Sequence, residues 1–205
     1  CTRVDQLFAE IIGTTNPIIF LGGPMIAEEL IAGTATKAIA ASTNAHARDI
    51  MSTLFAHTAI GLETSDDFEG VLTAASLKNI YALGLGMVDA LNFGANAHGV
   101  FLAQATQEMM HVVVSHGGRA ESALGLAGLA DLVATTQSPN STNYTTGVRF
   151  ARGLAPLRGS EALNTLPCIM KSMSAVISDL PFLRAIHDVV VDGIPAKTAI
   201  PPLLT

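Results

Sequence analysis

The spacing of apolar residues changes at about residue 65, and this change limits the possible folds more than any other feature. In residues 1–64, short apolar runs at 17–21, 37–41 and 59–62 alternate with helical segments, a pattern typical of a parallel α/β sheet. After residue 65 the patterns are helical, and the longest predicted helix covers 68–91. The sequence therefore predicts a mainly α chain, with an incomplete α/β unit over 1–64 and an all-helical unit over 65–205.

Composition excludes several classes of function. The chain has 205 residues, of which 49% are hydrophobic, and a net charge of −6 without basic runs, so no nucleic-acid partner is expected. Asp89 interrupts the longest apolar run, which argues against a membrane span. Two cysteines, Cys1 and Cys168, are too few for a disulfide framework, and this favours a reducing, cytoplasmic compartment.

Lys78 is the first candidate for chemistry. Its neighbours three or four positions away on a helix are small or apolar: Ala74, Ala75, Tyr81 and Ala82. An ammonium buried among such groups has a lowered pKa and can exchange a proton near neutral pH. A surface lysine with its charged end in water fits the same pattern equally well.

A second candidate lies in the segment 125–132, which reads GLAGLADL. Small residues surround Asp131 on the predicted helix, leaving room for a polar ligand, and Thr135 lies one turn further on. A structural carboxylate that bonds a nearby loop explains Asp131 equally well.

Other sites receive little support. The six histidines are scattered, and His111 and His116 are five positions apart, so no metal site is expected. Glu108 follows an apolar helical face and is expected to be buried in structural hydrogen bonds. No G-x-S-x-G motif of a serine hydrolase and no G-x-G-x-x-G nucleotide motif occurs in the sequence.

Three segments together resemble the NAD(P)-dependent glycerol-3-phosphate dehydrogenases. They are Gly23-Pro24-x-x-Ala27-x-Glu29, Leu77-Lys78-Asn79 followed by Gly94-x-Asn96, and the GLAGLADL segment at 125–132. The resemblance implies a two-domain enzyme with an N-terminal Rossmann domain and an all-helical C-terminal domain. Residues 1–64 would then be the end of a Rossmann-type nucleotide domain, and 65–205 the substrate-binding domain.

The resemblance also implies a reaction and its setting. The reaction is the reversible reduction of dihydroxyacetone phosphate to glycerol 3-phosphate, with NAD or NADP as cofactor. A cytoplasmic homodimer that serves glycerol-3-phosphate metabolism and phospholipid biosynthesis would be expected. Lys78 would transfer the proton. The substrate contacts would be Gly23, Asn79, Asp131, Thr135, Ser141, Thr142 and Asn143, and Ala27 would contact the cofactor.

Departures from the family pattern leave two alternatives open. The family has Ser-Arg-Asn where this chain has Ser141-Thr142-Asn143, and the usual Ser or Thr after the glycine-proline turn is Met25. A valine-glutamate-glycine element is expected near 166–168, where no glutamate occurs. Without the nucleotide motif, this chain alone is expected to be inactive. The alternatives are a dehydrogenase for a different, unphosphorylated oxo compound and a non-catalytic helical dimerisation module.

Overall fold

We describe the protein from a computed structural model that covers residues 4–13, 16–174 and 177–204. Cys1, one of the two cysteines on which the expected reducing compartment depends, lies outside these residues. The strands are β1 (Phe20–Gly22), β2 (Thr36–Ala41) and β3 (Ile60–Ser65). The α-helices are α1 (Val4–Ile12), α2 (Ala27–Ile31), α3 (Ala45–Phe55), α4 (Phe68–Ala90), α5 (Gly94–Ser115), α6 (Ala120–Leu124), α7 (Asp131–Gln137), α8 (Thr142–Ala151), α9 (Glu161–Ser172), α10 (Pro181–Val190) and α11 (Ala196–Ala199). The prediction of a mainly α chain with a small sheet is confirmed.

The small sheet differs from the predicted parallel one. Its order is β1-β2-β3, with β2 and β3 parallel but β1 and β2 antiparallel. Parallel neighbours need a crossover, which is usually a helix packed on the sheet. The 11-residue helix α3 forms such a connection between β2 and β3, whereas the five-residue helix α2 buries none of its residues. The chain therefore reverses direction between β1 and β2 instead of crossing over.

Helix α4 lies at the centre of the helical part. It begins at Phe68 as predicted, with Asp67 as its N-cap, whose side chain accepts a hydrogen bond from the Gly70 amide at 3.0 Å. The Asp67 carboxylate also accepts bonds from the Arg119 amide and the Ser122 hydroxyl. The start of α4 is thus tied to the start of α6.

Helix α4 is also long and apolar enough to cross a membrane, by length and composition alone. Asp89 interrupts the longest apolar run of the sequence, yet an 18-residue stretch of α4 is apolar enough to cross a membrane. In the structure, 78% of that stretch is buried inside the protein. It contributes several of the largest fully buried side chains of the helical part, including Tyr81, Leu83 and Leu85. This burial is what the core helix of a globular domain shows.

The sequence pattern over 122–136 predicts one glycine-interrupted helix, but the structure divides this segment into three parts. Helix α6 ends at Leu124, a π-helical turn covers Leu126–Ala130, and α7 begins at Asp131. Gly128 allows the turn to lie against α6, because a Cβ there would collide with the backbone of Ala123. Asp131 consequently starts a new helix rather than continuing one.

Two further boundaries differ from the predictions. The polar sequence over 137–143 predicts a loop, and the observed loop is shorter because α8 begins at Thr142 with Ser141 as its N-cap. Pro167, expected near a break, lies inside α9. Glu108 is buried as predicted, with 2% exposure, and its carboxylate accepts hydrogen bonds from the Tyr81 hydroxyl and from the first free amides of α10.

Candidate active site

A cavity of about 470 Å³ lies between the β1–α2 segment and the helices α4, α7, α8 and α9. Its lining includes each of the nine residues expected from the sequence to serve proton transfer, substrate binding or cofactor binding. They are Gly23, Ala27, Lys78, Asn79, Asp131, Thr135, Ser141, Thr142 and Asn143. These residues are spread over 121 positions from Gly23 to Asn143 in the sequence, so their convergence depends on the tertiary fold.

Lys78 lies at the centre of a small polar group on one wall. Its Nζ is 3.1 Å from Asp131 Oδ2 and donates a hydrogen bond of 3.1 Å to Thr135 Oγ1. Only 17% of the Lys78 side chain and 13% of the Asp131 side chain are exposed. Neither alternative from the sequence describes Lys78 fully: its amine is enclosed, but it is paired with a carboxylate.

The Asp131 carboxyl has a perturbed titration. Burial raises its pKa above the ordinary value of 3.8, and the nearby Lys78 ammonium opposes this shift only in part. Thr135 Oγ1 lies 3.4 Å from Asp131 Oδ1 and completes the group. The arrangement presents an amine at the cavity wall, held in position by two partners from α7.

A chain of amide hydrogen bonds forms the neighbouring wall. Asn143 Nδ2 donates to Asn79 Oδ1 at 2.9 Å, and Asn79 Nδ2 donates to Glu161 Oε2 at 2.7 Å. The Ser160 hydroxyl donates to Asn143 Oδ1 at 2.8 Å. Because each amide bonds the next, the two asparagines are fixed in orientation, and polar groups of three helices meet at one place.

The glycine-proline turn closes the side nearest the sheet. Gly23 has φ of +116°, and a Cβ at this position would lie 3.2 Å from the Lys37 carbonyl oxygen and 3.3 Å from Ala38 Cα. Both the conformation and the close approach of the backbone require glycine. The Thr36 hydroxyl donates to the Pro24 carbonyl at 2.6 Å and secures the turn. Ala27, at the start of α2, is exposed.

The start of α8 forms the remaining rim. Ser141 Oγ accepts a hydrogen bond from the Tyr144 amide at 3.2 Å, so this hydroxyl caps the helix. Thr142 is the first residue of α8 and is partly buried. Across the cavity, Asn140 Nδ2 donates to Glu28 Oε1 at 3.0 Å, which connects the loop before α8 to α2.

Sequence reasoning missed two carboxylates of the lining, Glu28 and Glu161. The family's glutamate was expected near 166–168, where this chain has none. Glu161, followed by Ala162, lines the cavity instead and accepts a hydrogen bond from Asn79. Glu161 carried no distinguishing signal, because a serine and a glutamate at the start of an amphipathic helix are common at any helix N-terminus. Glu28 carried no signal, since exposed glutamates are common on a first helical turn.

One group of potential metal ligands lies away from this cavity. The ligand atoms of His187, Asp188 and Asp192 lie within 4.8 Å of one another near the end of α10. The His187 ring is 3.4 Å from Asp192, which an ordinary ion pair explains. None of the three residues lines the cavity around Lys78.

Comparison with known proteins gives concordant results. Residues 67–201 match the family model of the NAD-dependent glycerol-3-phosphate dehydrogenase C-terminus. The glycerol-3-phosphate dehydrogenase [NAD(P)+] of Acidobacterium capsulatum is 32% identical over 198 residues, covering 91% of this chain and 59% of the relative. The enzyme of the same name from Leuconostoc mesenteroides is 32% identical over 188 residues, covering 91% of this chain and 53% of the relative.

A solved structure shows the same fold. The crystal structure of glycerol-3-phosphate dehydrogenase from Coxiella burnetii matches 98% of this chain and 63% of its own, with a TM-score of 0.86 and 26% identity. The chain thus spans between about half and two thirds of the length of these relatives. The resemblance seen in the three sequence segments is confirmed, and the chain belongs to the NAD-dependent glycerol-3-phosphate dehydrogenase family through its C-terminal region.

Proposed function

We propose that this chain provides the substrate-binding part of an NAD(P)-dependent oxidoreductase. The proposed reaction is the one for which its relatives are named, the reversible reduction of dihydroxyacetone phosphate to glycerol 3-phosphate. The observation that carries the proposal is the enclosed Lys78–Asp131–Thr135 group, which lies in the same cavity as every other residue expected at the site. A helical dimerisation module would have no need of such a group.

Lys78 is the proton-transferring residue in this proposal. During reduction, the carbonyl oxygen of the substrate gains negative charge, and the Nζ ammonium of Lys78 supplies a proton to it. During oxidation, the neutral amine takes the proton of the hydroxyl group. Asp131 and Thr135 keep Nζ at the cavity wall, and Asn79 and Asn143 orient substrate hydroxyls so that the reacting carbon is positioned.

The cofactor is NAD or NADP, which supplies or accepts the hydride when bound. The residues present fit the nicotinamide end of such a cofactor, because the small residues Gly22, Gly23 and Ala27 line the same cavity as Lys78. They do not include a G-x-G-x-x-G loop for its phosphates. We therefore assign residues 1–64 to the end of a nucleotide domain and 65–205 to the substrate domain, and expect this chain alone to be inactive.

The setting of the enzyme is part of the same proposal. The enzyme is a cytoplasmic homodimer that contributes to phospholipid biosynthesis, a setting proposed only from the resemblance to the family. Sedimentation of the purified protein tests the dimer.

Steady-state kinetics of the full-length protein containing this chain test the central role of Lys78. NADH oxidation with dihydroxyacetone phosphate or dihydroxyacetone is followed in wild type and Lys78→Met, which keeps the length of the side chain. We expect kcat to fall about 10²–10⁴-fold, the range for loss of a general acid. Lys37→Met is the matched control, because the Lys37 side chain is 65% exposed and pairs with Glu63 at the surface.

Circular dichroism establishes that Lys78→Met remains folded. A folded variant that keeps kcat within about threefold of wild type would contradict the role of Lys78 as the general acid, since such groups contribute at least about 100-fold.

A further inference from the structure

We propose that the first turn of α9 holds the side-chain amides of Asn79 and Asn143 in the one direction in which both donate hydrogen bonds to the substrate. Ser160 and Glu161 are then positioning residues, which act on the reaction through the two asparagines. The inference rests on the proposed function, because it takes Lys78 as the proton-transferring group and the asparagines as substrate contacts.

The direction of the amide chain is set at its buried end. Asn143 Oδ1 accepts hydrogen bonds from the Ser160 hydroxyl at 2.8 Å and from the Ala162 backbone amide at 3.1 Å. Because a backbone N–H can only donate, the oxygen of Asn143 and not its NH₂ group must face α9. All three residues are at most 9% exposed, so two donors facing each other there would be costly.

This direction is passed on to the next amide. With its oxygen toward α9, Asn143 donates from Nδ2 to Asn79 Oδ1 at 2.9 Å. Asn79 therefore directs its own Nδ2 to Glu161, whose Oε2 accepts at 2.7 Å. An ionised carboxylate can only accept, so Glu161 stabilises the same direction from the opposite end. Both ends of the chain thus belong to neighbouring residues of one helix turn.

The contacts of Ser160 differ from those of an ordinary helix cap. Ser160 is the N-cap of α9, a position where a serine hydroxyl usually accepts a hydrogen bond from an amide of the first turn. Here the Ser160 side chain makes no such bond, and its hydroxyl donates to Asn143 instead. The amide of Ala162, in that first turn, is bonded by Asn143 from α8. The start of α9 and the cavity wall are therefore joined through the same side chain.

The direction of the amides decides which atoms the substrate meets. An amide NH₂ group carries two hydrogens, and among the described residues the chain uses one from Asn79 and one from Asn143. The second hydrogen of each is left to donate to an oxygen of the substrate. Both asparagines line the same cavity as Lys78, so these donors hold the oxygens beside the reacting carbonyl while the proton is transferred.

Steady-state kinetics of the full-length protein with NADH and dihydroxyacetone phosphate test the inference. Glu161→Leu removes the acceptor for Asn79, and we expect kcat/KM to fall about tenfold or more, since a misplaced contact can cost about 100-fold. Glu161→Gln keeps an acceptor oxygen at the same reach and should stay within about threefold of wild type. Glu121→Leu is the matched control, because Glu121 is exposed on α6 and does not line the cavity.

A double-mutant cycle shows whether Glu161 acts through Asn79. In Asn79→Ala the carboxylate has no amide to hold, so adding Glu161→Leu should lower kcat/KM by less than about threefold. Glu161 is exposed, and circular dichroism should find each variant folded.

Three results would overturn the inference: wild-type kcat/KM in Glu161→Leu, equal losses in the Leu and Gln variants, or the same loss with and without Asn79. If any of them came with turnover that still depends on Lys78, the proposed function would stand. No turnover of dihydroxyacetone phosphate by the wild-type protein would overturn both.

Discussion

At the scale of single residues, the site depends on a lysine and an aspartate that constrain each other. Lys78 and Asp131 are both largely enclosed and lie 3.1 Å apart, so loss of either charge leaves the other poorly solvated. Burial raises the pKa of Asp131 above 3.8, and therefore its carboxylate takes up a proton at a higher pH than an exposed aspartate would. The ion pair between Lys78 and Asp131 is thus sensitive to acid pH.

This sensitivity predicts an acid limb in the activity. As pH falls through the raised pKa of Asp131, the carboxyl becomes neutral and no longer holds Lys78 Nζ, so kcat should fall at a pH above 3.8. In Asp131→Asn, which cannot ionise, we expect a lower kcat at neutral pH and no such limb. Profiles of kcat against pH for the two proteins provide the measurement. An unchanged acid limb in the variant would assign it to another group.

Glu108 provides a prediction about stability. Burial raises its pKa above 4.5 despite four hydrogen bonds to the ionised form. A raised folded-state pKa stabilises the fold fully below pH 4.5, and this contribution is lost as pH rises through the folded pKa. The variant Glu108→Gln has no carboxyl group to titrate. Its amide NH₂ would face the hydrogen-bond donors at this position, which should lower the unfolding free energy by about 1–3 kcal/mol.

Urea unfolding from pH 4.5 upward measures this effect. The difference in unfolding free energy between wild type and Glu108→Gln should be largest at the acid end and shrink toward neutral pH. The exposed Glu121 on α6 offers a control, since Glu121→Gln should change stability by less than about 0.5 kcal/mol. A difference that grew with pH would mean that the ionised form is the favoured one in the fold.

Residue identity at the site was predictable only in part. Lys78 and Asp131 stood out because each is a charge among small or apolar helix neighbours, a pattern that a sequence displays. Their contact was not visible, because it joins α4 to α7 across 53 positions. Glu161 was missed because nothing local distinguishes a glutamate on a first helical turn from a solvated one.

At the scale of elements, α4 and α8 approach each other through glycines. A Cβ at Gly147 would collide with the Leu83 carbonyl, and one at Gly86 with the Tyr144 carbonyl. The two backbones are therefore in direct contact, and this contact fixes Asn143 relative to Asn79.

Gly147→Ala should accordingly lower the unfolding free energy by about 1–3 kcal/mol, the usual cost of overpacking. Gly99→Ala is the matched control. Gly99 lies within α5 with nothing near its missing Cβ, so alanine there should raise stability by about 0.4–1 kcal/mol. Thermal or urea unfolding of both variants gives the comparison. If Gly147→Ala were as stable as wild type, the close approach of α4 and α8 would be wrong.

Helices with a strong apolar periodicity were predictable from the sequence, whereas elements whose form depends on tertiary contacts were not. The long helix predicted over 68–91 is confirmed nearly to the residue, because a side-chain cap and an apolar pattern agree there. The division of 120–137 and the antiparallel β1 were missed. Both depend on backbone packing against distant segments, which a local pattern does not record.

At the scale of the whole molecule, α4 is the element around which the rest is arranged. Lys78 and Asn79 on α4 bond residues of α7, α8 and α9, while Tyr81 on the same helix bonds the Glu108 network of α5. The site and the core thus share one helix, and the precise placement of Lys78 depends on the same packing that stabilises the fold.

Hydrogen exchange tests this organisation in the full protein. Amides in the middle of α4, where 15 residues are buried, should exchange only through global unfolding, whereas α2, which buries none, should exchange by local opening. We expect protection factors that differ by several orders of magnitude between the two helices. In Gly147→Ala, protection of α4 should fall together with the global stability. Fast exchange within α4 at native stability would mean that the central helix opens independently, and the rigid placement of Lys78 would then be wrong.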